Sequence, residues 1–68
     1  MKHLAEVRRF RGMSQRELAE LTGTTASTIS RAERGDQISL ALANKIAMTL
    51  QVKIDQLTNG SIGLYFND

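Results

Sequence analysis

Between residues 14 and 35 the chain reads "SQRELAELTGTTASTISRAERG", a stretch that accommodates little except two short helices crossing at a tight turn. Ser14 and Glu17 stand at the spacing of a capping box, in which each side chain satisfies a free backbone N–H at the other's end. Met13 and Leu18 flank that box in the positions of a hydrophobic staple. The helix so started is short, because Thr22-Gly23-Thr24 breaks it by about residue 22. Counting from Gln15, Ala19 is fifth, Gly23 ninth and Ile29 fifteenth. Each has a physical task where two helices cross. Ala19 is small at the closest approach, Gly23 accepts the positive φ of a tight turn, and Ile29 returns a branched apolar chain to the core. Leu18 and Ala32 complete the buried side. The pattern is that of a helix-turn-helix.

The remaining elements surround this pair. Leu4, Val7 and Phe10 or Arg11 recur at helical spacing, which predicts a first helix over residues 2–11 ended by Gly12. Thr25 is the expected N-cap of the third helix, which runs to Arg34 with Gly35 in the C-terminal cap position. After the loop "DQI", Ser39 can cap a fourth helix with Leu40, Leu42 or Ala43, Ile46, Ala47 and Leu50 on its apolar face. Val52, Ile54 and Leu57 fit a short fifth. Met13 and Met48 read as core filler. No repeat, low-complexity stretch or proline interrupts the pattern. The expected fold is therefore all-α: a compact bundle of four to five helices containing the helix-turn-helix, over residues 1–60, with a short apolar tail at 61–68.

Sixty-eight residues form one domain near the lower limit of what a single core can stabilise. With no cysteine and one histidine, His3, neither a disulfide nor a metal site is expected to staple it, and no cofactor is implied. No apolar run reaches membrane-spanning length and no signal-peptide pattern opens the chain, so the expected location is the cytoplasm. A lone histidine, no cysteine, and Asp36, Asp55 and Asp68 scattered on loops make no nucleophile–base pair, so an enzyme is not expected. Charge is uneven. Residues 1–34 carry seven basic side chains against four acidic, net +3, and residues 35–68 carry two against three, net −1. Six of the seven basic residues in the first half are arginine, the side chain suited to bidentate contacts with phosphate and guanine. A basic half points to an anionic partner or, more plainly, to a solvated face.

The fragment "SQRELAELTGTTASTISRAERG", followed by "SLALANKIAMTLQVKIDQL", resembles the lambda-repressor-like helix-turn-helix family, of Cro and phage-repressor type, over residues 4–57. Gln15, Leu18-Ala19, Gly23, Ser27-Thr28-Ile29-Ser30, Glu33 and Gly35 carry the likeness together. The resemblance implies a five-helix domain that sits on double-stranded operator DNA as a dimer. It also implies an Arg8–Glu33 pair tying the first helix to the third. Two positions depart from the family's habit: Ile38 lies near a frequent proline and Gln51 near a frequent glycine.

DNA binding gives a reason for the poor helix formers, all but Ala26, in "TTASTIS". With Ile29, Ala32 and the methyl side of Thr28 buried, the outer face of the third helix holds Thr25, Ala26, Ser27, Ser30, Arg31 and Arg34. Short hydroxyls let a backbone approach base edges in the major groove, Ala26 can touch a thymine methyl, and Arg31 is the long side chain aimed mid-groove. Thr25, Ala26, Ser27, Ser30 and Arg31 are thus the expected base contacts. Gln15, at the start of the second helix, is aimed at a phosphate by resemblance and by geometry. Thr28, Arg34, Gln37 and Ser39 are further backbone contacts. Lys2, Arg9, Arg11 and Arg16 supply diffuse attraction or plain solubility. A merely polar surface would explain the hydroxyls but not the turn spacing.

In the tail "TNGSIGLYFND", Asn59-Gly60 fits either a left-handed helix cap or the turn of a β-hairpin. Ile62, Leu64, Tyr65 and Phe66 cover the subunit's own core or dock a second copy, and a dimer or partner contact is the expectation. The expected function is a sequence-specific transcriptional regulator, a repressor that binds an inverted-repeat operator as a homodimer. The alternative is an antitoxin that binds a toxin protein and autoregulates its operon.

Overall fold

Three side-chain hydroxyls start three helices. In the computed structural model of the chain, which describes residues 1–58, Ser14, Thr25 and Ser39 accept hydrogen bonds from the backbone N–H groups of Glu17, Thr28 and Leu42. Each cap satisfies a donor that has no partner inside its helix, worth about 1 kcal/mol. At Ser14 the box is complete: Glu17 N–H donates to Ser14 Oγ at 3.0 Å and Ser14 N–H donates to Glu17 Oε1 at 2.9 Å. The helices are α1 Leu4–Phe10, α2 Gln15–Thr22, α3 Ala26–Glu33, α4 Leu40–Leu50 and α5 Asp55–Thr58. The described residues form an all-helical bundle.

Four of these helices end in one way. An N–H two or three residues past the end bonds back to a carbonyl in the last turn, from Met13 to Arg8, Thr24 to Ala19, Asp36 to Arg31 and Val52 to Ala47. That reversal needs a left-handed residue. Gly12, Gly23 and Gly35 provide it in the first three cases, and Gln51 provides it after α4 with φ of 61°. The departure from glycine at Gln51 therefore does not prolong α4. The helix stops at Leu50 and the side chain accepts a backbone conformation that most L-residues avoid.

Leu4, Leu18, Ile29, Ile46, Leu50 and Leu57 are fully buried, and Ala19, Ala32 and Ala47 fill the close approaches among them. Full burial of each large aliphatic chain contributes roughly 1.5–3 kcal/mol. α2 packs against both α3 and α4, while α1 packs against α3 and α5. The small Ala19 and Ala32 lie on the α2 and α3 faces that meet. α3 is thereby held by its Ile29–Ala32 stripe, and its opposite face is left to solvent.

Several expectations at the edges of apolar stripes are corrected. α1 covers Leu4–Phe10 rather than residues 2–11, and Phe10 is 82 % exposed rather than part of its buried stripe. Met48 is 77 % exposed and is not core filler, whereas Met13 packs against the core. Leu40 is exposed, and the apolar face of α4 is Ala43, Ile46, Ala47 and Leu50 with Leu42 at its margin. Asp55 begins α5 and is not on a loop. The expectations for Asn59-Gly60 and for Ile62, Leu64, Tyr65 and Phe66 lie outside the described residues.

Candidate nucleic-acid interface

The outer face of α3 follows from its inner one. Ile29 and Ala32 are wholly buried, so the side chains between them turn outward or flank the contact. Thr25, Ser27, Arg31 and Arg34 are exposed, and Ala26, Thr28 and Ser30 are half-buried along the margins. Five of these seven side chains have at most three heavy atoms. The helix backbone on this side is accordingly open to a ligand groove, as major-groove reading requires.

Three of the residues form a ladder. Thr25 Oγ1 accepts the Thr28 N–H at 3.2 Å and lies 3.0 Å from Thr28 Oγ1. Thr28 Oγ1 in turn accepts Arg31 Nη2 at 3.4 Å. Spaced at three-residue intervals, the three share one side of α3. Thr28, expected at a phosphate, bonds here to Thr25 and Arg31.

At the other end of α3 the structure assembles a buried cluster. Arg8 Nε donates to Glu33 Oε2 at 2.6 Å and Arg8 Nη2 to Glu33 Oε1 at 3.4 Å. Arg8 Nη1 donates to the Met13 carbonyl at 2.8 Å. Gln15 Nε2 completes it with a bond to Glu33 Oε1 at 2.9 Å. Burial pushes the Glu33 carboxyl up, but hydrogen bonds from Arg8 and Gln15 and the charges of Arg8 and Arg9 outweigh it and hold the group below its ordinary value. The cluster joins the end of α1, the start of α2 and the end of α3. It fixes the first turn of α2, where Gln15 sits, against the end of α3.

Arg34 and Gln37 are exposed just beyond α3, and Ser39 caps α4. Lys2, Arg9, Arg11 and Arg16 are all exposed. Arg16 faces Glu20 across 3.6 Å, a pairing of little energetic weight at such exposure. Arg11 has a further role: its Nε donates to the Leu50 carbonyl at 2.8 Å, filling an acceptor left open at the end of α4. Neither that bond nor the Gln15–Glu33 bond has a counterpart in local spacing, since the partners are 39 and 18 positions apart. Among the described residues no group of three His, Cys, Asp or Glu gathers to hold a metal ion, and no helix is long and apolar enough to cross a membrane.

No curated protein and no solved structure matches the chain. A family model described as helix-turn-helix matches residues 4–57, a span that runs from the first residue of α1 into α5. The capped α2, the left-handed turn at Gly23 and α3 make up a helix-turn-helix, and the chain belongs to the lambda-repressor-like helix-turn-helix family of DNA-binding transcription regulators.

Proposed function

We propose that the chain is a sequence-specific repressor that binds an inverted-repeat operator as a homodimer in the cytoplasm. α3 enters the major groove, with Thr25, Ala26, Ser27, Ser30 and Arg31 facing base edges. Gln15, Arg34, Gln37 and Ser39 hold the flanking phosphates. The observation that carries this reading is the two-sided character of α3: Ile29 and Ala32 are fully buried while the short hydroxyls and Arg31 stand opposite. One such helix reads only a few base pairs, so useful specificity calls for two of them about one helical turn, roughly 34 Å, apart. Ile62, Leu64, Tyr65 and Phe66 are the proposed dimer contact.

Selection of bound duplexes from a random pool tests this. The expected product is an inverted repeat with half-site centres one turn apart. Recovery of no enriched sequence contradicts DNA reading, and enrichment of a single half-site contradicts the dimer.

A second reading, an antitoxin that also binds a toxin protein, is favoured by the apolar side chains that the bundle leaves exposed, Phe10 at 82 % and Met48 at 77 %. A toxin encoded beside this chain and co-purifying with it would select that reading.

A further inference from the structure

Thr28 carries a hydroxyl that the proposed contacts do not need, and its surroundings suggest a use. We propose that Thr28 is a positioning residue for Arg31: it holds the guanidinium in place for base readout. This rests on the reading of α3 as the groove-facing helix.

A threonine hydroxyl has one proton and two lone pairs. Thr28 Oγ1 accepts from the cationic Arg31 Nη2 at 3.4 Å, a charge-assisted bond. The same hydroxyl shares a hydrogen bond with Thr25 Oγ1, 3.0 Å away, which fixes it from the other side. Thr25 Oγ1 is itself held by accepting the Thr28 N–H at 3.2 Å. The ladder ties Arg31 through Thr28 to Thr25, the N-cap of α3. An arginine side chain loses much rotamer freedom when it docks on a base. Holding it beforehand in the free protein removes part of that loss, so the contribution falls on the contact that discriminates and not on general affinity.

Thr28→Val tests the assignment, because it keeps the branched shape and removes only the hydroxyl, while Thr28→Ser restores the hydroxyl. The readout is the affinity ratio between the selected site and a duplex altered at the position where Arg31→Ala loses discrimination. Thr28→Val is expected to lower that ratio by roughly three- to tenfold, the effect of one exposed hydrogen bond, with an unchanged melting temperature. Thr28→Ser is expected to match the wild type. A wild-type ratio in Thr28→Val overturns the proposal. So does equal weakening on both duplexes, with the salt dependence unchanged because the hydroxyl carries no charge, which makes Thr28 a phosphate contact. If Arg31→Ala itself leaves every ratio unchanged, Arg31 reads no base, and the proposal falls together with the reading beneath it.

Discussion

Arg8 in α1 and Glu33 in α3 hold each other at 2.6 Å, with 10 % and 9 % of their side chains exposed. Twenty-five positions separate them in the chain, and the pair is a polar tie between α1 and α3. Removing one partner leaves a desolvated charge behind. Glu33→Ala should therefore destabilise the fold by about 3 kcal/mol, a large share of the stability of so small a domain. The Met13 carbonyl continues to satisfy one N–H of Arg8, which keeps the loss at the lower end for a buried pair. Arg8→Met combined with Glu33→Leu should lose less than the two single changes summed, and urea unfolding of the four proteins measures it. A wild-type urea midpoint in Glu33→Ala contradicts the role of the pair.

The same carboxylate sets an acid limb. Its folded pKa lies below the ordinary 4.5, so its contribution is complete above that value and is lost as pH falls through the lower folded value. Stability should be flat through this group from pH 7 to about 5 and decline below it. Glu33→Gln, less stable at neutral pH, should show a shallower decline. Parallel acid limbs in the two proteins would assign the pH dependence to other carboxylates.

Gln51 offers the converse test, a gain. A left-handed non-glycine residue costs about 1–2 kcal/mol, and a glycine there gives back about 0.4–1 through a freer unfolded chain. Gln51→Gly should stabilise by roughly 0.5–1 kcal/mol, while the β-branched Gln51→Val should destabilise, both read as shifts in the urea midpoint. Loss of stability in Gln51→Gly would show that the side chain makes a contact worth more than the strain.

Local chemistry was readable from the sequence because it acts over a few residues. Ser14 and Glu17 are three apart, Thr25 stands directly before α3, and Gly23 closes its turn with neighbours. The small residues Ala19 and Ala32 and the branched Ile29 marked the buried side of the pair, and with it the outer face of α3. The Arg8–Glu33 tie came from the family resemblance, and other contacts that depend on how helices meet were not readable from local spacing. Phe10 and Met48 each sit at the border of an apolar stripe, and the packing partner alone decides on which side a border residue falls. Arg11 could be counted as surface charge until the end of α4 was found beneath it. Gln15 likewise gained a buried acceptor, Glu33, from the far end of the next helix.

Electrostatics of the complex should show in salt titrations. Observed affinity should fall linearly on a log–log plot, with a slope of about −0.9 per phosphate neutralised. Arg34→Ala should weaken binding to all duplexes about equally and make the slope shallower by about 1. A wild-type slope near zero would leave no phosphate contacts to explain.

The central claim is that the outer face of α3 reads bases, and Arg31 carries it because it is the long, exposed side chain among short ones. The most direct measurement titrates a labelled selected duplex and a scrambled duplex with wild type and Arg31→Ala at one salt concentration. Arg31→Ala should lose roughly 1–3 kcal/mol on the selected site and little on the scrambled one, so the specificity ratio collapses. Arg31→Lys should recover charge but only part of the ratio, because the planar fork is gone. Equal losses on both duplexes, with the preferred sequence unchanged, would show that Arg31 touches only phosphate and that α3 does not read DNA in this way.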